Sequence, residues 1–324
     1  MLKAFVCVTG EPAKEIGSEN VASFLTDEKS HVWVDLSENV EEYQRFLAET
    51  MNFHPLVVED LMSHGMLPKV EEYDGGLFML MQDIVLLDAA GQEDRLRTYD
   101  LFMFIGKNFL VTVHRNRIRA VDSYMQDAAA MTRLLSRGIE PFVHGIIRRM
   151  VDSFFPMLDR VDAKLDAAEE SIFSKPVQED LQRVFELRKD VMQLRSIAQQ
   201  QLNVISRISI GEFEAVSPHG LLLARDIYDH LYRFSEKAAG FREEIMGLLD
   251  AYLSQVNNRM NDVVRVLTMM ATIMLPLSII VGFYGMNFHT MPGLSHPYGW
   301  LFTILGMVGL VSGMIVYFRH KRWI

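Results

Sequence analysis

The sequence predicts an α/β domain followed by a long helical stalk and two membrane-spanning helices per subunit. Three observations carry this prediction. Charge is segregated: the 324-residue chain has a formal net charge of -10, yet residues 263–324 hold no Asp or Glu and only Arg265, Arg319, Lys321 and Arg322 as cations. The tail contributes +4, so residues 1–262 carry -14. A second feature is the run from Leu221 to Gly282, which holds only isolated glycines and one proline, Pro276. A helix of about 60 residues is about 90 Å long, more than a single globular core needs. The third is a pair of uncharged stretches, residues 266–284 and 301–318, of 19 and 18 residues. Each approaches the ~20 residues that cross a hydrocarbon core of ~30 Å.

Residues 1–115 alternate between strand-like and helix-like segments, which predicts the α/β domain. Residues 2–8 and 31–36 are rich in Val, Phe and Trp and predict strands. Val40, Tyr43, Phe46 and Leu47 follow helical spacing, so residues 40–51 predict a helix. Residues 54–61 open with Pro55 near a helix start and predict a second, shorter one. Residues 77–87 form a long, mostly apolar run. Two further apolar runs, 101–105 and 109–113, flank Gly106-Lys107-Asn108 and predict a hairpin.

Residues 116–215 predict a helical part. Val184, Leu187, Val191, Leu194 and Ala198 keep an a/d spacing, so this helix packs lengthwise on another. Asp159, Asp162, Asp166 and Glu169 fall three or four apart and make an acidic stripe on the helix before it. Such a stripe is mildly self-repulsive, which a cation or basic neighbour relieves. Residues 211–220, with Pro218, predict a break before the stalk, residues 216–262. Leu249, Leu253, Val256, Met260 and Leu267 keep a coiled-coil-like spacing along it.

Composition excludes several classes. An acidic body argues against a nucleic-acid partner, because phosphate binding requires the opposite sign, and it suits cations. The single cysteine, Cys7, rules out a disulfide framework and fits a reducing compartment. The N-terminus lacks a signal-peptide pattern. No Gly-x-Ser-x-Gly, phosphate loop, His-Glu-x-x-His or Cys-x-x-Cys occurs, so an enzyme is not expected.

The first membrane span is assigned to residues 263–284, the loop to 285–300, the second span to 301–318 and a basic tail to 319–324. The loop has no Lys or Arg, whereas Arg259, Arg265, Arg319, Lys321 and Arg322 flank the other ends. The positive-inside rule then places both termini in the cytoplasm of a multi-pass inner (plasma) membrane protein, with Trp300, Tyr317 and Trp323 at the lipid interfaces. Two helices cannot enclose a hydrated path, so a path requires several copies around an axis. Asn261, Val264, Thr268, Ala271, Leu275, Ser278 and Gly282 share one face of the first span. That face suits a pore lining, and equally the small-residue packing of membrane helices.

The first span ends in Gly-Phe-Tyr-Gly-Met-Asn-Phe over residues 282–288. At this place the sequence resembles the CorA-type magnesium transporters, whose hallmark is Gly-Met-Asn, usually after Tyr. The resemblance extends to His-Pro-Leu-Val-Val-Glu-Asp at 54–60, Pro-Lys-Val-Glu at 68–71, Arg-Asp-Ile-Tyr-Asp-His at 225–230 and the segments around Val266, Ala271 and Leu275-Pro276. It covers the chain from about residue 30. It implies a funnel-shaped homopentamer in contact with lipid, carrying Mg²⁺ and related divalent cations such as Co²⁺ or Ni²⁺.

The resemblance also implies roles for individual residues. Gly285, Met286 and Asn287 form the selectivity filter, where a ring of Asn287 carboxamides meets the hydration shell of an ion that dehydrates reluctantly. Gly285 permits a tight backbone and Met286 packs. Asn261 is an inner polar ring. Val264, Leu267 and Leu275 form a hydrophobic constriction, while Thr268, Ala271, Ser278 and Gly282 complete the lining. Asp60 and Asp226, with Glu59 beside Asp60, match acids that hold regulatory Mg²⁺ between neighbouring cytoplasmic domains. Filling that site clamps the ring shut at high internal Mg²⁺. A position that is acidic in some relatives is Arg148 here, which weakens or deletes a secondary ion site. The basic tail is expected near the acidic stripe.

The outer loop departs from the pattern. Many magnesium-transporting relatives carry an acid after Met-Pro, where this chain has Gly293. His289 and His296 raise the alternative of softer ions, including Zn²⁺. A zinc transporter of the same superfamily is therefore one competing reading, although Met286 favours magnesium over the Gly-Val-Asn of those relatives. A membrane-anchored sensor or scaffold that transports nothing is the other.

Overall fold

The structure, a computed structural model, describes residues 1–27, 29–63, 65–87, 95–174, 177–287, 291–293 and 296–323. His289 lies outside them. The chain divides into two compact units: Met1–Glu170 with Glu179–Leu248, and Ser171–Gln178 with Leu249–Ile324. The α/β part and most of the helical part thus fold together.

The first unit is built on a seven-stranded sheet in the order β2-β1-β3-β7-β6-β5-β4. Its strands are β1 (Leu2–Val8), β2 (Lys14–Ile16), β3 (Ser30–Ser37), β4 (Lys69–Tyr73), β5 (Gly76–Leu87), β6 (Arg95–Ile105) and β7 (Phe109–His114). Among the described residues only β3 and β7 pair in parallel. The expected hairpin is β6–β7, with Ile105 opposite Leu110. The edge strands β2 and β4 have little apolar alternation and carry Lys14, Glu15, Lys69, Glu71 and Glu72, as befits edges that must not recruit further strands.

Because side chains alternate along a strand, the register sorts the sheet into two buried faces. Ala4, Val6, Val32, Val34, Leu36, Phe78, Leu80, Phe102, Phe104, Val111 and Val113 pack with Val21 of α1 (Val21–Leu25) and Val57, Val58 and Leu61 of α2 (Pro55–Met62). Residues 40–50 are helical, as expected of 40–51, but not as one regular α-helix. They form a 3-10 turn, Val40–Tyr43, and one π-helical turn, Phe46–Thr50, that still bury Val40 and Leu47. The wider turn is closed by Met51 N–H donating to Phe46 O at 3.0 Å. Helix α2 starts as Pro55 predicts, with His54 Nδ1 accepting the Leu56 N–H at 3.2 Å.

The opposite face is covered by α3 (Arg119–Gln126), α4 (Ala128–Leu135), α5 (Ile139–Asp152), α6 (Phe155–Ser174), α7 (Gln178–Ser209) and the first part of α8 (Pro218–Tyr284). Trp33 meets Phe142 of α5 edge-on at 4.9 Å, and all five a/d residues of α7 are buried. This face also holds polar groups. His114 Nε2 lies 3.2 Å from Asp35 Oδ1 and His114 Nδ1 lies 2.7 Å from Asn116 O. Both ring nitrogens face oxygen acceptors; burial lowers the imidazole pKa, but the Asp35 partner outweighs it and the net shift is upward. Asp83, 2 % exposed, leaves Oδ1 without a partner among the described residues. Burial pushes its pKa to about 6, against the Ile84 N–H and Arg119.

Helix α8 has 67 residues and is about 100 Å long. In the second unit its remainder from Leu249 is joined by α9 (Gly299–His320). Among the described residues, these two helices are long and apolar enough to cross a membrane. In a single chain their large apolar side chains face outward, from Leu253 to Tyr284 and from Trp300 to Tyr317. That is unfavourable in water and expected in lipid or between copies.

Candidate functional site

The end of α8 is set by backbone bonds. Gly285 N–H donates to Val281 O at 2.9 Å and Met286 N–H donates to Phe283 O at 3.3 Å, so the last turn tightens. Asn287 follows as an exposed residue, and its carboxamide makes no hydrogen bond among the described residues. Helix capping is therefore done without it. Just beyond, Gly293 has φ +90°, a conformation strained for any residue with a side chain. The missing loop acid falls where the backbone accepts glycine. His296 Nδ1 accepts the Tyr298 N–H at 3.3 Å, which leaves one ring nitrogen for other partners.

At 3.6 residues per turn, Asn261, Val264, Leu267, Thr268, Ala271, Leu275, Ser278 and Gly282 fall within an arc of about 120° on α8. All are exposed in the single chain. Thr268 Oγ donates to Val264 O and Thr272 Oγ donates to Thr268 O, each at 2.8 Å. The hydroxyls thus spend their protons on the helix and turn acceptor lone pairs outward. Pro276 cannot donate to the Thr272 carbonyl, which loses its helical partner at mid-span.

In the first unit the three expected acids stand differently. Asp60, on α2, is part-buried and accepts a hydrogen bond from Lys69 Nζ at 2.6 Å. Lys69 also reaches Glu71 Oε2 at 3.3 Å. These acids raise the Lys69 pKa against its burial. Burial and the Glu71 hydrogen bond push the Tyr73 hydroxyl to about 12. Glu59 is exposed beside Asp60.

Asp226, on α8, accepts from His144 Nε2 at 2.8 Å and from Arg148, whose Nε also lies 3.2 Å from both Asp152 oxygens. Burial disfavours the charged form of Asp226, but these two donors win and hold its pKa below the usual carboxylate value. The oxygen donors suit a hard cation. Their number does not: among the described residues no group of three or more His, Cys, Asp or Glu is placed to hold a metal ion.

Sequence reasoning missed Lys69, His144 and Glu140. Glu140, His144, Arg148 and Asp152 lie four residues apart, a polar stripe on an α5 that is apolar elsewhere except for Arg149, and it was legible from spacing. In the acidic stripe of α6, Asp159 meets Lys237 at 3.1 Å, the basic neighbour that its repulsion calls for.

A family model described as CorA-like Mg²⁺ transporter protein matches residues 28–321. The chain is 29 % identical to the cobalt/magnesium transport protein CorA of Thermotoga maritima, over 97 % of this chain and 90 % of that one. It is 23 % identical to the zinc transport protein ZntB of Pectobacterium atrosepticum, over 90 % and 88 %. The fold superposes on the CorA magnesium transporter structure from Methanocaldococcus jannaschii with a TM-score of 0.84 at 20 % identity, covering 99 % of this chain and 98 % of that one.

Proposed function

We propose, from the premise that this chain belongs to the CorA-like Mg²⁺ transporter family, that it is one subunit of a homopentameric channel for Mg²⁺ uptake, open also to Co²⁺ or Ni²⁺. The family moves divalent cations across membranes; the ion, the subunit number and the gating are our reading. The observation that carries it is Asn287, whose carboxamide makes no hydrogen bond among the described residues and is exposed just past the uncharged last stretch of α8, in the Gly-Met-Asn motif. Five such groups around an axis accept hydrogen bonds from the waters of Mg²⁺ without stripping them. Below them Gly282, Ser278, Leu275, Ala271, Thr268, Leu267, Val264 and Asn261 line the path. The apolar members Leu275, Leu267 and Val264 close it by excluding water. Both termini lie in the cytoplasm of the inner (plasma) membrane, because the loop between the spans has no Lys or Arg.

Regulation follows from the same reading. Asp60, Glu59 and Asp226 are the carboxylates through which internal Mg²⁺ holds neighbouring copies together and closes the pore. A zinc transporter is the second reading, favoured by the likeness to a zinc transport protein and by His296.

Mg²⁺ flux into proteoliposomes with a trapped indicator tests the proposal, for wild type and Asn287→Ala, with a proton dye in parallel. Flux that is lost in Asn287→Ala, falls with Mg²⁺ on the cytoplasmic side and moves no protons is expected. Zn²⁺ uptake coupled to protons, without Mg²⁺ flux, transfers the chain to the zinc reading. No flux of any divalent ion refutes both.

A further inference from the structure

Helix α5 presents Glu140, His144, Arg148 and Asp152 at four-residue spacing, and each meets α8 or the residue before it. Glu140 accepts the N–H of Ser217 at 2.8 Å and also its hydroxyl. His144 reaches Asp226 at 2.8 Å. Arg148 spans Asp226 and Asp152. His230 Nδ1 stands 3.4 Å from Asp152 Oδ1. The partner numbers rise together, so α5 and α8 run parallel, joined by a polar seam. Arg148 is the one member that bridges two carboxylates. Its guanidinium and His144 share Oδ2 of Asp226, leaving Oδ1 without a partner among the described residues.

A guanidinium fixed on a packed helix is present at high local concentration and remains protonated. A divalent ion approaching Asp226 must displace it or sit beside a like charge, and either weakens binding. Lys69 stands to Asp60 in the same relation, 2.6 Å away. We propose that Arg148 is a tethered counter-cation at Asp226 that competes with divalent ions and so sets the Mg²⁺ concentration at which this carboxylate is filled. The inference rests on the reading of Asp226 as a regulatory ligand. It goes further in giving the chain its own internal occupant for the site.

The test is binding, read without transport. Thermal unfolding of the full chain, purified in detergent, is followed against Mg²⁺ concentration to find the half-maximal stabilisation. Removing the charge in Arg148→Gln should lower that concentration about tenfold, within the ordinary range of coupling between sites. Arg148→Met should do the same, and serves if the glutamine variant does not assemble. Arg148→Lys should stay near wild type. A wild type unresponsive to Mg²⁺ beside a responsive Arg148→Gln also supports the proposal. Uncharged variants that match wild type, need more Mg²⁺, or never respond overturn it. Because flux is not the readout, failure of Mg²⁺ transport counts only against the transport reading.

Discussion

Lys69 Nζ lies 2.6 Å from Asp60 Oδ2, with the two side chains 24 % and 19 % exposed. The pair ties β4 to α2, and β4 in turn holds the loop before α8. Val70 O accepts from Arg207 in the last turn of α7 at 3.1 Å, and the Glu72 carboxylate accepts the N–H groups of Glu214 and Ala215 in the loop at 3.2 and 2.7 Å. An edge strand of low apolar content thus joins an expected regulatory acid to the base of the stalk helix.

Replacing Lys69 by Met should leave the part-buried Asp60 without its ammonium partner. The expected cost is about 1–2 kcal/mol, read as a lower melting temperature of the purified protein. Added Mg²⁺ should restore more of that loss in the variant than it adds to wild type, because a soluble cation then takes the ammonium's place. Equal melting temperatures with and without Lys69 would show that the pair is energetically neutral.

Asp83 makes stability depend on pH. Its folded pKa is raised, so the stabilisation it offers is complete below its ordinary 3.8 and is lost as pH rises through about 6. A rise from 3.8 to about 6 corresponds to at most about 3 kcal/mol. Asp83→Asn keeps the shape and removes the charge. It should melt above wild type near neutral pH, with the gap closing as pH falls from about 6 towards 3.8. A gap independent of pH would rule out the buried charge as its cause.

Asn287→Asp separates an ion-contact role from a packing role. A ring of carboxylates holds a divalent ion more tightly and releases it more slowly. Half-saturation of Mg²⁺ flux should therefore move to lower concentration while the maximal rate falls. A variant that loses rate without any change in half-saturation would place Asn287 away from the ion.

The sequence by itself determined the order of parts. The uncharged runs ending at Tyr284 and Phe318, the acid-free tail and the stalk with its single proline are each one-dimensional signals. Membrane thickness and helix rise convert them directly into spans. The Gly-Met-Asn motif likewise singles out Asn287 as the proposed ion contact from sequence alone. The spacing of Val184, Leu187, Val191, Leu194 and Ala198 was enough to foretell their burial, since one helix face is a local property. Strands β2 and β4 were not legible, because edge strands bury little and are held by their neighbours' hydrogen bonds rather than by their own apolar pattern. The π-turn at Phe46–Thr50 escaped for a related reason, since its spacing imitates an α-helix and only packing widens it. Tertiary structure alone decided what the acids proposed as regulatory touch. Asp60 and Lys69 are nine positions apart, whereas Asp226 and Arg148 are separated by 78. Charge pairing across that distance depends on which faces of α5 and α8 meet, and hydrophobic packing of the first unit settles that before any charge has a say.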